Sequence, residues 1–504
     1  MLTTPRKVCL LFQRRFTSVA HKVAIELRDK HGISNICGYV YLNSSAKFLR
    51  NQKDIKYGEL LVDQEIHDAS VNEKIDWKYI KELEREYGIP NLWPYISVDR
   101  VIRYGLGVRE YPHDMSPYTH EDMVRMLQST ARKIIEFLEK EKPDLIYFPA
   151  VSAMGNMLLF YIAKKKGIVV LAGAETRIMG GYALTDDYRT FSFADARFRE
   201  LQEGAKSAKE RDARTYIDGY RSKPSTYLYY MKNFKDSGSR LEAFSWLSPW
   251  KIARSIKWLF ARIAQKMKET SQDYMDQSPW WFLFDATRRK FRLMRGFADL
   301  WDEYNPKERF AYYPLHLEPE MAMLLLSPRW TDQINLIKQI AESLPISFKL
   351  YVKEHPVMMG FRPRRYYREL KKIPNVKLIH PNHDSHTIVT DSQIVLTQTG
   401  TAGWEALLLK KPVITFGDVY FNTISMTKKC TDIEKLPNMV KAQLENFLFN
   451  EIELVNFVSA ILENSENISL HELWERGLDA KSEASSIEKF TQMLLEKYKS
   501  IVTA

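Results

Sequence analysis

Ile394-Val395-Leu396-Thr397-Gln398-Thr399-Gly400-Thr401-Ala402-Gly403-Trp404-Glu405-Ala406-Leu407 reads as an apolar strand, a small hydroxyl-bearing turn and the start of a helix. Rossmann-type domains hold phosphates on such a unit, because the first backbone N–H groups of a helix have no partner within it and its dipole favours negative charge. The N–H groups of the turn and the hydroxyls of Thr399 and Thr401 are expected to face one anion. Glu405, read as lying in the first helical turn, would accept hydrogen bonds from a ribose or base. The alternative is that Thr401 caps the helix and Glu405 complements its dipole. Upstream, Phe348-Lys349-Leu350-Tyr351-Val352-Lys353-Glu354-His355-Pro356 is a second apolar strand. Its period of two puts Lys353 and His355 on one side at the carboxyl end. An ammonium beside a protonated or donating imidazole can neutralise a phosphate, with Pro356 fixing the turn that aims them. Taken alone, the pair would also suit a solvated lysine and a capping histidine. Downstream, Lys411-Pro412-Val413-Ile414-Thr415-Phe416-Gly417 reads as a buried strand whose glycine allows close backbone approach to a ligand.

The same alternation extends in both directions. Val8–Phe12, Ile36–Leu42, Leu145–Phe148 and Ile168–Leu171 are strand-like, with helical periodicity over 19–30, 122–140 and 157–166. Strands alternating with helices imply parallel sheets. From 190 to 305 the strand-like runs stop and long polar or aromatic helices take over, carrying Trp246, Trp250, Trp258, Trp280, Trp281 and Trp301. The expected organisation is an N-terminal Rossmann-like domain over 1–189, a helical, Trp-rich basic insertion over 190–305, a C-terminal Rossmann-like nucleotide domain over 306–440, and C-terminal helices over 441–504.

With 504 residues the chain exceeds one ordinary core, and 45% hydrophobic with 27% charged residues is a globular composition. Seventy-four basic against 63 acidic residues leave a net charge of +11, which favours an anionic partner. Cys9, Cys37 and Cys430 form neither a CxxC pair nor a Cys/His cluster, so neither a disulfide framework nor a zinc site is indicated. The apolar run at 8–12 is too short for a secretory core, and no window approaches 18 uninterrupted apolar residues. The expected location is cytoplasmic, with peripheral contact to the inner face of the cytoplasmic membrane left open.

Four segments in order, Tyr313-Pro314-Leu315-His316-Leu317-Glu318-Pro319-Glu320, Leu350 to Pro356, Thr399 to Leu407, and Lys411 to Gly417, resemble the capsule polysaccharide biosynthesis family, which is related to the β-Kdo transferases. The resemblance is close over 309–420 and thin elsewhere. It implies a GT-B glycosyltransferase, two Rossmann-like domains with the nucleotide motif in the second. The implied activity is transfer of a sugar, Kdo-like or otherwise acidic, from a nucleotide-activated and by preference CMP-linked donor to a capsular or lipopolysaccharide-type glycan. By that analogy His355, Thr399, Gly400 and Thr401 hold the donor phosphate, Lys353 supports it and Glu405 meets the nucleoside. Neither a tightly bound metal nor a cofactor beyond the donor is implied. The competing readings are a non-catalytic glycan-binding or assembly subunit of a capsule export complex, a nucleotide-sugar epimerase, and a polyol-phosphate transferase.

The acid, base or nucleophile is expected from the N-terminal domain. Glu175 in Gly173-Ala174-Glu175-Thr176-Arg177 is the candidate by position, with Arg177 and also His316 as candidate binders of an acidic sugar or acceptor. A Glu–Arg pair on a surface loop explains the same residues. Asp186-Asp187 reads as a solvated turn rather than a metal loop. Ile252, Ile256, Leu259, Phe260, Ile263 and Met267 repeat at helical spacing among basic residues, which suits either an anionic membrane surface or, as the preferred reading, a helix half buried on the core. Arg288-Arg289-Lys290, Arg292 and Arg295 beside Trp280, Trp281 and Phe291 raise single-stranded nucleic acid, but no nucleic-acid fold signature accompanies them and no nucleic-acid partner is expected.

Overall fold

The structure, a computed structural model, describes residues 4–13, 16–104, 116–224, 248–268, 279–468 and 480–503. The chain divides into two compact units: Met1–Asp99 with Tyr118–Tyr216 and Val455–Ala504, and Arg100–Pro117 with Ile217–Leu454. The boundaries expected at 189, 305 and 440 fall inside these units. Helices after 189 and the C-terminal helix complete the first, and the second takes a short piece of the N-terminal segment.

The first unit is built on strands β1 (Lys7–Phe12), β2 (Asn35–Val40), β3 (Leu60–Val62), β4 (Leu145–Phe148), β5 (Val169–Glu175) and β6 (Gly181–Thr185). Their order is β6-β5-β4-β1-β2-β3, parallel throughout except where β5 turns back into β6. Val8 to Phe12 are fully buried, as a strand covered by helices on both faces requires. The helix His120–Glu141 starts at a reciprocal cap, Thr119 Oγ1 accepting from Asp122 N at 3.2 Å and Asp122 Oδ2 from Thr119 N at 3.0 Å. It ends at Lys142 in the left-handed region, φ 46°, directly before Pro143. The last helix, Ala480–Thr503, drives Phe490 and Leu494 into this unit's core, with the Phe490 ring edge-on to Tyr147 at 4.9 Å.

The second unit carries β7 (Phe310–Pro314), β8 (Lys349–Lys353), β9 (Val376–Ile379), β10 (Ile394–Thr397), β11 (Val413–Thr415) and β12 (Thr427–Lys429) in the all-parallel order β12-β11-β10-β7-β8-β9. The chain moves outward from β7 through β8 to β9, then returns to the other side of β7 at β10. That reversal is a topological switch point, where the loops after neighbouring strands splay and leave a crevice. Both Rossmann-like sheets expected from the sequence are therefore present, and a helical C-terminal tail with them.

Local differences have local causes. Strand β5 continues to Glu175 rather than stopping at Leu171, because Thr176 N bonds Gly181 O at 2.9 Å and closes an antiparallel hairpin. Three further strands are too short to announce themselves: β3, β12, and β13 (Glu466–Asn467), which pairs antiparallel with β6. The helix Pro249–Lys268 departs furthest from its preferred reading, since Ile252, Ile256 and Phe260 are exposed rather than packed on a core. Trp246 lies outside the described residues.

Candidate active site

Three loops meet at the carboxyl edge of the second sheet. After β7 comes His316, which is buried. Its Nε2 accepts from Thr399 N at 3.3 Å and lies 3.3 Å from Thr397 Oγ1, which in turn accepts from Gly400 N at 3.1 Å. The imidazole therefore braces the turn between β10 and the next helix. Burial pushes its pKa down to about 4, so it serves this role as a neutral ring. Gly400 is needed here on steric grounds: a Cβ would stand 2.8 Å from Thr397 Oγ1 and 3.1 Å from His316 Nε2.

The helix runs Thr401–Leu408 with Gly400 at its N-cap and no side-chain cap. Two expectations are corrected by this. The N–H groups of Thr399 and Gly400 are engaged by His316 and Thr397, so the donors left of the expected set are the first N–H groups of the helix, Thr401 and Ala402, with the two threonine hydroxyls. Glu405 lies in the second turn, not the first; it is buried, and its carboxylate stands 3.9 Å from His386 Nδ1, which also lies 3.1 Å from Tyr220 Oη. Thr399 Oγ1 is buried with no hydrogen-bond partner within the protein. Gly417 also differs from expectation, because the space a Cβ would need is filled by protein: Thr399 Cγ2 at 2.7 Å and the carbonyl oxygens of Leu326 and Gln398 at 2.9 and 3.0 Å.

After β8, Lys353 is buried and donates from Nζ to Ser385 Oγ at 2.9 Å. Burial lowers its pKa to about 8, against the pull of Asp384, Glu354 and Glu405, which leaves it charged at neutral pH. His355 is half-buried, and its Nδ1 accepts from Val357 N at 3.3 Å. Burial, with Arg362, Lys353 and His316 adding to it, pushes its pKa down to about 3. Of the two protonation states left open by the sequence, the neutral donor is the one present. With Nδ1 accepting, the ring proton sits on Nε2, where it can be donated to an anion.

Beneath these loops lies a charged network that spacing did not reveal. Arg362 donates from Nε and Nη2 to Glu318 Oε2 at 3.0 and 2.9 Å, from Nη1 to Glu354 Oε1, and from Nη2 to the carbonyl of His316. Glu354 Oε2 also accepts from Tyr367 Oη at 2.7 Å, and Glu354 Oε1 from the backbone N–H of His355. Gln333 Oε1 accepts from His316 N at 2.8 Å. One guanidinium thus ties the backbone at His316 to the carboxylate that holds the backbone at His355. Strand alternation was the available signal for Glu354, since it turns away from the side shared by Lys353 and His355. Arg362 gave none, standing 44 residues from Glu318.

The first unit holds the remaining candidates. Glu175 is the exposed last residue of β5, paired in register with Tyr182. Arg177 follows in the hairpin turn at φ 57°, in the left-handed region that non-glycine residues rarely adopt. Asp186 and Asp187 are consumed by their own turn, accepting from Ser192 Oγ and from Arg189 N at 2.9 Å each. Among the described residues no group of three His, Cys, Asp or Glu side chains is placed to hold a metal ion.

A six-stranded parallel sheet with a strand-turn-helix and two histidines at its switch point gives the second unit a Rossmann-type fold. Residues 291–454, the segment that carries the four ordered motifs, match the model of the family described as capsule polysaccharide biosynthesis protein. Protein FixF of Sinorhizobium fredii is 31% identical over 134 residues, 25% of this chain and 31% of FixF, so the match spans about a third of that protein's length. Solved structures with similarity include the β-Kdo 2,7 transferase of KpsC from Thermosulfurimonas dismutans, at 13% identity over 71% of this chain and 89% of that one, with a TM-score of 0.34. UDP-GlcNAc 2-epimerase from Neisseria meningitidis matches at 14% identity, 96% and 100% coverage and a TM-score of 0.26. At such scores these structures bear on neither substrate nor mechanism.

Proposed function

We propose that the protein is a glycosyltransferase of surface-polysaccharide synthesis that binds a nucleotide-activated sugar at the switch point of its second unit. The observation that carries this reading is the convergence of Lys353, the His355 Nε2 donor, the orphan Thr399 hydroxyl and the helix start at Thr401 on one edge of the sheet, within the segment that matches the capsule family. A phosphate there meets one ammonium, neutral donors and a helix dipole, which can disperse leaving-group charge without a bound metal. The donor is read as CMP-linked and its sugar as acidic, with a surface glycan as acceptor. Glu175 remains the proposed proton acceptor or nucleophile and Arg177 the proposed partner of an acidic sugar.

The test is a thermal-shift panel with CMP, CDP and UDP on the full chain, followed by a transfer assay with the matching sugar nucleotide in the presence of EDTA. A shift with one nucleotide and EDTA-insensitive transfer support the reading; no shift with any of them overturns it. Interconversion of the free sugar nucleotide without an acceptor would make the protein an epimerase instead.

Thr399→Val separates binding from stability at this site. Because the hydroxyl already lacks a partner, its loss should leave the urea unfolding free energy within about 0.5 kcal/mol of wild type, or raise it. Nucleotide affinity should fall about tenfold or more, the usual effect of removing a hydrogen bond to a charged group. A stability loss with unchanged affinity would show that the hydroxyl serves the fold.

A further inference from the structure

We propose that the helices Pro249–Lys268 and Pro279–Arg295 form a docking surface for an anionic lipid bilayer. Charge is the first observation. These two helices hold eleven basic residues against the single Asp285, a net +10 of the whole chain's +11, so the remaining 467 residues are almost neutral. The chain's excess positive charge is therefore a local feature, and it marks one place for an anionic partner.

Exposure is the second. Trp250 is 76% exposed, Phe260 67% and Trp280 63%, and Ile252, Ile256, Leu283, Phe284 and Phe291 are exposed as well. Soluble surfaces seldom present so many large apolar side chains within two adjacent helices. On the first helix Ile252, Ile256 and Phe260 fall at i, i+4 and i+8 and make one stripe, flanked by exposed Arg254 and Lys257. An amphipathic helix with a basic polar face lies in a bilayer interface with its apolar stripe in the acyl boundary and its cations at the headgroups. The aliphatic stripe favours lipid over nucleic acid, because stacking on bases needs aromatic faces and gains nothing from isoleucine.

The surface is fastened to the donor unit. On the second helix Arg289 stacks over Phe361 at 4.3 Å, Arg292 donates to the Phe361 carbonyl, and Leu293 occupies the place where Gly360, at φ 81°, has no Cβ. Gly360 and Phe361 immediately precede Arg362, the guanidinium beneath His316 and His355. A bilayer bound to these helices would accordingly hold the nucleotide site at a fixed distance from the membrane plane, where lipid-linked acceptors reside. Binding itself stands independently of the donor reading.

The test is co-sedimentation of the full chain with vesicles of phosphatidylcholine alone and of phosphatidylcholine mixed with phosphatidylglycerol. Wild type should pellet with the mixed vesicles and not with the neutral ones, less so in high salt. Arg254→Glu/Lys257→Glu should weaken partitioning about tenfold or more, and Trp250→Ser/Phe260→Ser should also weaken it, with unfolding midpoint and nucleotide-induced shift unchanged in both. Failure of wild type to bind mixed vesicles, or equal binding by the variants, overturns the proposal. So does a single-stranded oligonucleotide that competes the protein off the vesicles at equal phosphate concentration. A missing nucleotide shift in wild type that still binds vesicles would count against the donor site alone.

Discussion

Arg362→Met should destabilise the protein by about 3–5 kcal/mol at pH 7, the usual cost of stripping one partner from a buried ion pair. The side chains of Arg362, Glu318 and Glu354 are 2%, 1% and 0% exposed, so no water can replace the guanidinium. Glu354 would lose its buried cation, Glu318 would be driven further toward its protonated form, and the His316 carbonyl would keep only the Gln333 Nε2 donor at 3.3 Å. Urea denaturation checks the figure, and a variant within about 0.5 kcal/mol of wild type would refute it. Arg362→Lys should not rescue, since one ammonium cannot span Glu318, Glu354 and the His316 carbonyl. Arg362→Met combined with Glu318→Gln and Glu354→Gln should recover part of the loss, because the buried charges leave with their partner. Glu318 also predicts a pH dependence. Burial, outweighing Arg362, raises its pKa from 4.5 to about 7. The folded state therefore binds a proton that the unfolded state has lost, and the contribution to stability, full below about pH 4.5, is lost as pH rises through about 7. The stability difference between wild type and Glu318→Gln should fall across that window and be flat above it.

His355→Ala should abolish transfer and lower nucleotide affinity by about tenfold to a hundredfold, the range for removing a donor to a charged group, while the fold persists. Its native contact through Nδ1 is a single local bond to Val357 N, so little tertiary structure depends on it. Isothermal titration with whichever nucleotide gives a thermal shift measures the loss; full affinity in the variant would remove His355 from the site. The acid limb of stability carries an independent signature. A pKa lowered from 6.5 to about 3 gives a contribution that is complete above pH 6.5 and lost as pH falls through about 3. His355→Ala should thus be relatively better tolerated in urea at pH 4 than at pH 7. An identical difference at both pH values would mean that the ring titrates normally and is not buried as described.

Runs such as Val8–Phe12 and Ile394–Thr397 announce buried parallel strands because burial on both faces leaves no room for polar alternation. The strand-turn-helix after β10 was legible as far as Gly400, since glycine and small hydroxyl residues at a strand end have few other uses. Its internal wiring was not legible. The N–H groups of Thr399 and Gly400 are spent on His316 and Thr397, and that depends on a histidine 83 residues earlier arriving over the turn. The hairpin that carries β5 through to Glu175 and back into β6 was hidden for a different reason: Gly180-Gly181 marks its end, but Arg177 and Met179, which no local rule places there, take the left-handed conformation within it.

By itself, then, the sequence determined what is local and periodic: the long apolar strands, that there are two sheets, where a helix starts after the Thr399-Gly400 turn, and that Lys353 and His355 share one side of a strand. Alternation and backbone donor geometry act over a few residues and can be read from them. Tertiary structure alone decided which strand stands beside which, and hence that the switch point falls between β7 and β10. It also decided that the imidazoles are neutral and that Arg362 joins Glu318 to Glu354. Protonation depends on desolvation, and desolvation depends on everything that folds over a group, including residues dozens of positions away that no local pattern connects to it.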